Sequence, residues 1–217
     1  MSTPAVDFIH AFTTLKPVPF VPEIVVHTAT KYSMKDFQES YNPEVPYWAF
    51  PWAGGQALAR YLLDHPEVVK GKKVLDFAAG SGLAAIAAAK SGAAHVWACD
   101  IDPMAQVATQ LNAARNGVVV ENLRAVQMDR PLQGVDIIVA GDVCGRQVMA
   151  YDILRWLYFC VAAGTPVLLG DPGRAYVPKS GLQELARYEV PVMRAIEDCD
   201  SRAGYVWQLS LPDEEDG

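Results

Sequence analysis

"VLDFAAGSGLAA", residues 74–85, decides the fold of this chain. An apolar strand segment carries Asp76, and a turn of small residues with Gly80 and Gly82 follows before an alanine-rich helical stretch. Glycines in such a turn let the backbone approach a ligand at the N-terminus of the helix. The stretch therefore predicts a strand–turn–helix unit with a small-molecule site beside the turn.

Strand segments alternate with helical segments beyond this unit. The helical segments 82–92 and 103–117 separate the first three strands, and the second opens with Pro103 and closes at Gly117. Such alternation predicts parallel strands covered by helices on both faces. The five strand segments are KVLDF (73–77), HVWACD (95–100), NLRAVQ (122–127), VDIIVAG (135–141) and TPVLLG (165–170).

The C-terminal part predicts a different ending for the sheet. A short helix is expected in GLQELAR (181–187), followed by the strands YEVPVM (188–193) and GYVWQLS (204–210). Only the short segment 194–203 separates these strands, so we expect an antiparallel hairpin. The predicted fold class is α/β, with a Rossmann-like seven-strand sheet of the methyltransferase type, mostly parallel with a C-terminal antiparallel hairpin.

The composition excludes several classes of partner. The chain has 217 residues, 51% of them hydrophobic, and a formal net charge of −7 without a Lys/Arg-rich run, so nucleic acid is not an expected partner. The N-terminus lacks a secretory pattern and no run of 18 apolar residues occurs, which predicts a cytoplasmic protein without membrane association. The cysteines and histidines lack metal-ligand spacing, so no metal is expected and the thiols are expected to be free.

Two ligands compete for the glycine turn. GSGLAA (80–85) fits the dinucleotide pattern, and Asp100 would bind a ribose in either case. Asp76 discriminates, because a carboxylate there repels a pyrophosphate and attracts the ammonium and sulfonium of S-adenosylmethionine, by roughly 4 kcal/mol at about 4 Å before desolvation. The pattern favours S-adenosylmethionine over NAD. A purely structural role for Asp76, as a cap or loop-ordering carboxylate, is the alternative.

Several motifs together resemble one family of protein-lysine methyltransferases. They are PYWAFPWAGGQALARYLL (46–63), GKKVLDFAAGSGLAAIAAAKSGA (71–93), DIDPMA (100–105), LNAARNG (111–117) and GDPGR (170–174). The chain resembles the methyltransferases that modify the β subunit of electron transfer flavoprotein, in particular their bacterial relatives. It is similar, more loosely, to the methyltransferases of ribosomal protein L11.

The resemblance implies an S-adenosylmethionine-dependent N-methyltransferase whose partner is a protein substrate, the electron transfer flavoprotein β subunit or one like it, methylated on lysine. A small-molecule N-methyltransferase and a non-catalytic S-adenosylmethionine-binding protein are the alternatives. Residues 1–45 are expected to form an N-terminal arm with one β segment (23–29), and residues 46–217 the methyltransferase domain.

The resemblance also implies the cofactor-binding residues. Asp76, Gly80 and Gly82 would face the methionine end, and Asp100 and Ile101 the ribose and adenine. The remaining expected contacts are Met128 and Asp129 beside the adenine ring, Trp52, Gly54 and Gly55 over the cofactor, and Ala78 and Gly141. Ala78 stands where such enzymes often have glycine, which is tolerable if its φ is negative. Ordinary core packing is the alternative for Trp52.

The acceptor side departs from the family pattern. The family carries D-x-x-Y after the fourth strand with phenylalanine before the tyrosine, whereas this chain reads GDVCGR (141–146), with Asp142 retained and Cys144 and Gly145 replacing both aromatics. Asp142 is the expected catalytic residue, aligning the acceptor amine, unless it only forms a turn. Cys144, Asp171 and Arg174 are expected to line the acceptor side, although Asp171 and Arg174 would also suit an ion pair within a turn.

Overall fold

The computed structural model of the chain describes residues 4–29 and 46–212. Its helices are α1 Pro4–Phe12, α2 Ala53–Asp64, α3 Leu83–Lys90, α4 Pro103–Arg115, α5 Gln147–Ala162 and α6 Arg194–Glu197. Its strands are β1 Thr13–Val18, β2 Val21–Ala29, β3 Lys73–Phe77, β4 His95–Cys99, β5 Glu121–Leu123, β6 Ile137–Gly141, β7 Val167–Asp171, β8 Leu182–Pro191 and β9 Ser201–Leu209. Short 3₁₀ turns occupy Tyr47–Ala49 and Pro66–Val68.

Strands β3 to β9 form one sheet in the order β5-β4-β3-β6-β7-β9-β8. The first five strands in that order are parallel, and β9 pairs antiparallel with both β7 and β8. This confirms the predicted Rossmann-like sheet with its antiparallel ending. Strand order reverses at β3, which has β4 on one side and β6 on the other. Ligands of such sheets bind at the carboxyl ends of the strands beside this reversal.

Helices cover both faces of the sheet, as the alternation predicts. On one face α2 and α3 pack against the strands through small residues and leucines such as Leu58 and Leu62, both fully buried. On the other face α5 supplies Trp156, whose ring centroid lies 4.6 Å from that of Phe77 in β3. Both faces are therefore apolar, and the polar residues at the strand ends are left to form a site.

The first two strands form a separate hairpin that packs on the sheet domain. Val18, Val21, Ile24 and Val26 belong to the same buried cluster as α2 and α3. The predicted β segment 23–29 lies within β2, whereas α1 and β1 were not predicted. The expected boundary at residue 45 lies outside the described residues.

Two asparagines of the LNAARNG motif fasten this hairpin to α4. Asn112 Oδ1 accepts a hydrogen bond from the His27 N–H at 2.8 Å. Asn116 pairs with the backbone of Val25 through both its amide oxygen (3.0 Å) and its amide nitrogen (2.7 Å). Because these bonds mimic the pairing of a neighbouring strand, they satisfy the outer edge of β2.

The helix predicted at 181–187 is wrong. Residues 182–187 belong to β8, which pairs with β9 from Leu182 opposite Leu209 to Pro191 opposite Ser201. The register shifts between Glu184 and Ala186, so Leu185 is the extra residue of a bulge. Leu182 and Leu185 are both partly buried, but they pack against clusters on opposite faces of the sheet, so their three-residue spacing does not mark one face of a helix. Strand β5 is also shorter than the predicted segment 122–127.

All four cysteines lie within the described residues and are free thiols, three of them buried. No helix in residues 4–29 and 46–212 combines the length and apolar character needed to cross a membrane. Over the same residues, no group of three or more His, Cys, Asp or Glu side chains is arranged to hold a metal ion.

Candidate active site at the carboxyl ends of the parallel strands

The glycine turn between β3 and α3 is held in place by α4. Gly80 and Gly82 have φ values of +54° and +75°, which side chains rarely adopt. A Cβ on Gly82 would lie 2.7 Å from Thr109 Cγ2, so the turn also needs glycine for close packing. Thr109 Oγ1 donates to the Gly80 carbonyl at 3.2 Å, and Asn112 Nδ2 donates to that of Ser81 at 2.8 Å.

Asp76 is buried beneath this turn. Its Oδ2 accepts a hydrogen bond from the Ala85 N–H in the first turn of α3 at 2.8 Å. Burial raises the pKa of Asp76, the Ala85 N–H opposes this effect and the nearby Asp100 adds to it, with the result that the pKa is about 7. The observed contact is that of a loop-ordering carboxylate. An interaction of Asp76 with the ammonium of a cofactor stays a prediction.

Ala78 adopts a left-handed conformation, with φ of +56°. The condition under which alanine was expected to be tolerable, a negative φ, is therefore not met. A left-handed conformation costs an L-residue about 1–2 kcal/mol because Cβ approaches the following carbonyl oxygen. The glycine usual at this position would avoid that cost.

Asp100 joins the glycine turn to the loop after β4. Its Oδ2 accepts from the Gly80 N–H at 2.8 Å and its Oδ1 from the Asp102 N–H at 2.9 Å. Burial raises the pKa of Asp100, while these two N–H groups lower it. A carboxylate held in this way at the end of β4 is oriented to accept hydrogen bonds from further donors, such as ribose hydroxyls.

The residue after Asp100 offers an exposed apolar surface. Ile101, between Asp100 and Asp102 in the loop after β4, is 88% exposed. Such high exposure is unusual for an isoleucine. Met128, half-buried against the cluster under the sheet, and the exposed Asp129 lie in the turn after β5. Their predicted contacts with adenine stay predictions.

The N-terminus of α2 packs directly on the ends of β6 and β7. A Cβ on Gly54 would lie 2.3 Å from the Gly170 carbonyl oxygen and 2.6 Å from Asp142 Oδ2. Gly54 is thus required for packing. Gly55, in contrast, has open space where a Cβ would point, although its Cα closely faces Gly141. Trp52 is half-buried just before the helix, and its Nε1 donates to the Tyr47 carbonyl at 2.8 Å.

Gln56, from the same segment, is a buried structural residue that ties three parts of the chain together. Its side-chain oxygen accepts from the Phe20 N–H at 3.0 Å. Its amide nitrogen donates to the carbonyls of Pro51 at 2.8 Å and Pro191 at 3.1 Å. The amide therefore fixes the approach of α2 to the first hairpin and to β8.

Asp142 directly follows β6 and is the centre of an ion-pair network. Its φ is +57°, its Oδ2 accepts from the Gly55 N–H at 2.9 Å, and its Oδ1 accepts from Arg174 Nη2 at 2.8 Å and Nε at 3.1 Å. Burial raises the pKa of Asp142, Arg174 lowers it and the neighbouring Asp171 raises it, with the result that the pKa is about 6. Asp142 is therefore much more than a turn-forming residue.

Sequence reasoning missed two members of this network, Glu197 and Arg202. Glu197 Oε1 accepts from Arg174 Nη2 at 3.0 Å, and Glu197 Oε2 pairs with Arg202 Nε at 2.8 Å. The side chain of Glu197 is only 5% exposed. It lies in α6, far in the sequence from the motifs at the strand ends. The only feature of the sequence that could have indicated its role was its place in the short connection before β9.

Asp171 and Arg174 do not pair with each other through their side chains. Asp171 Oδ1 accepts from the backbone N–H groups of Gly173 at 2.9 Å and Arg174 at 2.7 Å, which orders the GDPGR turn. Its Oδ2 makes no hydrogen bond within the described residues, although the Cys144 N–H is near enough to stabilise the carboxylate. Cys144 itself is buried, and burial raises its pKa to about 12, so the thiol is unreactive.

The comparisons with known proteins agree with this geometry. Residues 56–145 match the family model of ribosomal protein L11 methyltransferase (PrmA). The electron transfer flavoprotein beta subunit lysine methyltransferase of Danio rerio is 41% identical over 184 residues, covering 78% of this chain and 70% of the relative. Its counterpart from Xenopus laevis is 37% identical over 214 residues, covering 94% of this chain and 86% of the relative.

Solved structures share the fold at low sequence identity. A candidate RNA methyltransferase from Pyrococcus horikoshii superposes with a TM-score of 0.59 at 16% identity, covering 84% of this chain and 98% of the other. TrmN from Thermus thermophilus gives a TM-score of 0.51 at 23% identity, covering 70% and 48%. These similarities concern the fold alone. The identity and coverage of the curated relatives go further: the chain belongs to the family of electron transfer flavoprotein beta subunit lysine methyltransferases and is an S-adenosylmethionine-dependent methyltransferase.

Proposed function

We propose that this chain transfers methyl groups from S-adenosylmethionine to a lysine side chain of a protein, with the electron transfer flavoprotein β subunit as the first candidate substrate. The single observation that carries the proposal is the 41% identity over 184 residues to a relative named for that activity. The acidic network at the ends of β6 and β7 supports it independently, because such a site suits a cationic acceptor.

The cofactor side has residues that fit S-adenosylmethionine. Asp100 would hold the ribose hydroxyls, because its oxygens already accept two N–H groups and keep further lone pairs. The exposed Ile101 would pack on the adenine, and the open space beside Gly55 would leave room for the ligand backbone. When bound, the cofactor supplies an electrophilic methyl group on a sulfonium.

The acceptor side is formed by Asp142, with Asp171 and Arg174 around it. A lysine ammonium of reference pKa about 10.4 must lose a proton before it is nucleophilic, at a cost of roughly 4–5 kcal/mol at pH 7. Burial lowers that cost because it disfavours the charged form, whereas the Asp142 carboxylate stabilises the ammonium and acts in the opposite direction. Asp142 would accept a hydrogen bond from the amine and direct its lone pair, so its contribution is orientation more than basicity.

The departure from the family at Cys144 and Gly145 changes the walls of the acceptor side. Gly145 is exposed, and the aromatic side chains that relatives carry would add apolar surface beside Arg174. We expect this chain to hold an isolated lysine weakly and to depend on a protein substrate, whose remaining surface supplies binding energy. Free lysine should therefore be a poor acceptor.

The experiment combines the purified chain, tritiated S-adenosylmethionine and recombinant electron transfer flavoprotein β subunit, followed by mass spectrometry of the labelled protein. Methylated lysine supports the proposal, and Asp142→Asn should lower kcat/KM by roughly 10²-fold. The matched control is Asp200→Asn, which changes an exposed carboxylate in the same region whose side-chain partner, among residues 4–29 and 46–212, is Arg194. It should leave the rate unchanged.

Three other results would redirect the assignment. Label that stays with small molecules in a lysate would indicate a small-molecule N-methyltransferase. Label in a different protein band would keep lysine transfer and replace the partner. Cofactor binding by calorimetry with no label on any acceptor would indicate a binding protein without transferase activity.

A further inference from the structure

The guanidinium of Arg174 lies where three cation-binding groups converge. Its Nη2 is 2.8 Å from Asp142 Oδ1 and 3.0 Å from Glu197 Oε1. Its central carbon lies 5.5 Å from the ring centroid of Trp52. Two carboxylates and the face of an indole are the groups that recognise an ammonium as well as a guanidinium. The structure thus contains a built cation site with an internal cation in it.

The charges around this site are not balanced. Three carboxylates, those of Asp142, Asp171 and Glu197, meet two guanidinium groups, those of Arg174 and Arg202. Asp171 is 1% exposed and keeps one oxygen without a hydrogen bond in the described part of the chain. With all of these groups ionised, the carboxylates exceed the guanidinium groups by one negative charge, which favours the approach of a further cation.

We propose that Arg174 is a placeholder for the acceptor: it occupies the cation site in the substrate-free protein, and the lysine ammonium of the acceptor takes its place on Asp142. This inference rests on the proposed function for the identity of the acceptor. Arg174 then remains bound to Glu197 and acts as a positioning residue that sets the affinity for the acceptor.

The two carboxylates differ in a way that directs this exchange. Glu197 holds Arg174 with one oxygen and Arg202 with the other, so Arg174 has a partner after it leaves Asp142. Asp142, in contrast, has the Gly55 N–H as its other partner and no second cation among the described residues. An arriving ammonium therefore replaces the guanidinium of Arg174 on Asp142. After the exchange Asp142 is paired with the ammonium and Glu197 with both arginines, so each carboxylate keeps a cation.

Gly145 lies beside the stem of Arg174. A Cβ on Gly145 would be 3.3 Å from Arg174 Cδ, tighter than an ordinary contact. The side chain of Arg174 is 21% exposed, so it is accessible to a competing cation. The lack of a side chain at Gly145 thus leaves the stem of Arg174 free to shift when a competing cation arrives.

The first experiment measures cation binding without any methyl transfer. n-Butylammonium chloride, a probe for the lysine side chain, is titrated against the protein while tryptophan fluorescence is recorded, and Trp52→Phe identifies the signal. Arg174→Met should bind the probe about tenfold more tightly than the wild type, because the internal competitor is gone. Arg194→Met, which removes an exposed arginine paired with Asp200, is the matched control and should bind like the wild type.

The second experiment uses a variant with the opposite expected sign. Glu197→Gln removes the alternative partner of Arg174, so the arginine should bind Asp142 more tightly and the probe should bind several-fold more weakly than to the wild type. This variant keeps the inference testable if Arg174→Met does not fold. Weaker or unchanged binding in Arg174→Met, or tighter binding in Glu197→Gln, would refute the placeholder role.

Kinetic measurements with a protein substrate that the enzyme methylates separate this inference from the proposed function. A placeholder predicts that Arg174→Met lowers KM for the acceptor, while the Kd for S-adenosylmethionine is unchanged. An arginine that only fixes Asp142 predicts a lower kcat without a lower KM, which would overturn the inference and leave lysine transfer intact. If no lysine is methylated at all, the probe titration still decides whether Arg174 competes for the cation site.

Discussion

The backbone strain at Ala78 can be measured by replacing it with glycine. A left-handed φ of +56° costs an L-residue about 1–2 kcal/mol. Two losses oppose the relief: glycine adds about 0.5–1 kcal/mol of backbone entropy in the unfolded chain, and the half-buried methyl group contributes up to about 0.8 kcal/mol of burial. The absolute change for Ala78→Gly should therefore be small, from about 0.8 kcal/mol of destabilisation to about 1.5 kcal/mol of stabilisation.

Ala79→Gly isolates the strain. Ala79 is also partly buried, but its φ is not positive, so its replacement has the same two losses without the relief. Ala79→Gly should lose about 0.5–2 kcal/mol of stability, and the difference between the two variants should equal the strain, about 1–2 kcal/mol. For a chain of this size that difference corresponds to about 2–8 °C in Tm.

The assay is thermal and urea unfolding of both variants beside the wild type. Calorimetric titration of S-adenosylmethionine provides a second readout, and Ala78→Gly should bind at least as tightly as the wild type because it leaves more room near the turn. Equal destabilisation by the two glycine variants would show that the left-handed conformation carries no strain, and the reasoning would be wrong.

Three further predictions concern the same end of the sheet. Asp76 has a pKa of about 7 in the folded protein against an ordinary value of 3.8, so the folded state binds more protons between these values and this group's contribution to stability grows as pH falls from 8 to 5. The free energy of unfolding of Asp76→Asn minus that of the wild type, measured in urea, should therefore be largest at pH 8 and roughly 3 kcal/mol smaller at pH 5. A difference that does not change with pH would contradict the burial of the charge. Gly54→Ala should lower the free energy of unfolding in urea by about 1–3 kcal/mol, because its Cβ would meet the Gly170 carbonyl oxygen at 2.3 Å. Gly55→Ala should unfold at no lower urea concentration than the wild type but bind S-adenosylmethionine more weakly. The reverse pattern would refute both roles. Asn112→Ala should lower stability by about 2–3 kcal/mol and increase hydrogen exchange at the His27 amide, because it leaves that N–H and the Ser81 carbonyl without their partner; unchanged exchange would contradict the proposed fastening of β2.

The predictions made from local pattern were the reliable ones. The segment Lys73–Phe77, the turn with Gly80 and Gly82, and the helix that opens at Pro103 all depend on neighbours within a few positions in the chain. The failure at 181–187 has the same origin. Leu182 and Leu185 are spaced like one face of a helix, and only pairing with β9 and the bulge at Leu185 show that both positions belong to a strand.

The sequence by itself therefore determined the α/β alternation, the glycine turn and the residues that end the parallel strands, because periodicity, turn chemistry and strand ends are properties of short segments. Only the tertiary structure decided what those residues touch. Asp142 reaches Arg174 and Gly55, and Arg174 reaches Glu197, across separations of 32, 87 and 23 residues. Such partners are brought together by the packing of α2, β6, β7 and α6, and no local pattern contains that information. The left-handed φ of Ala78 was decided in the same way, since alanine has no preference for it and the surrounding fold imposes it.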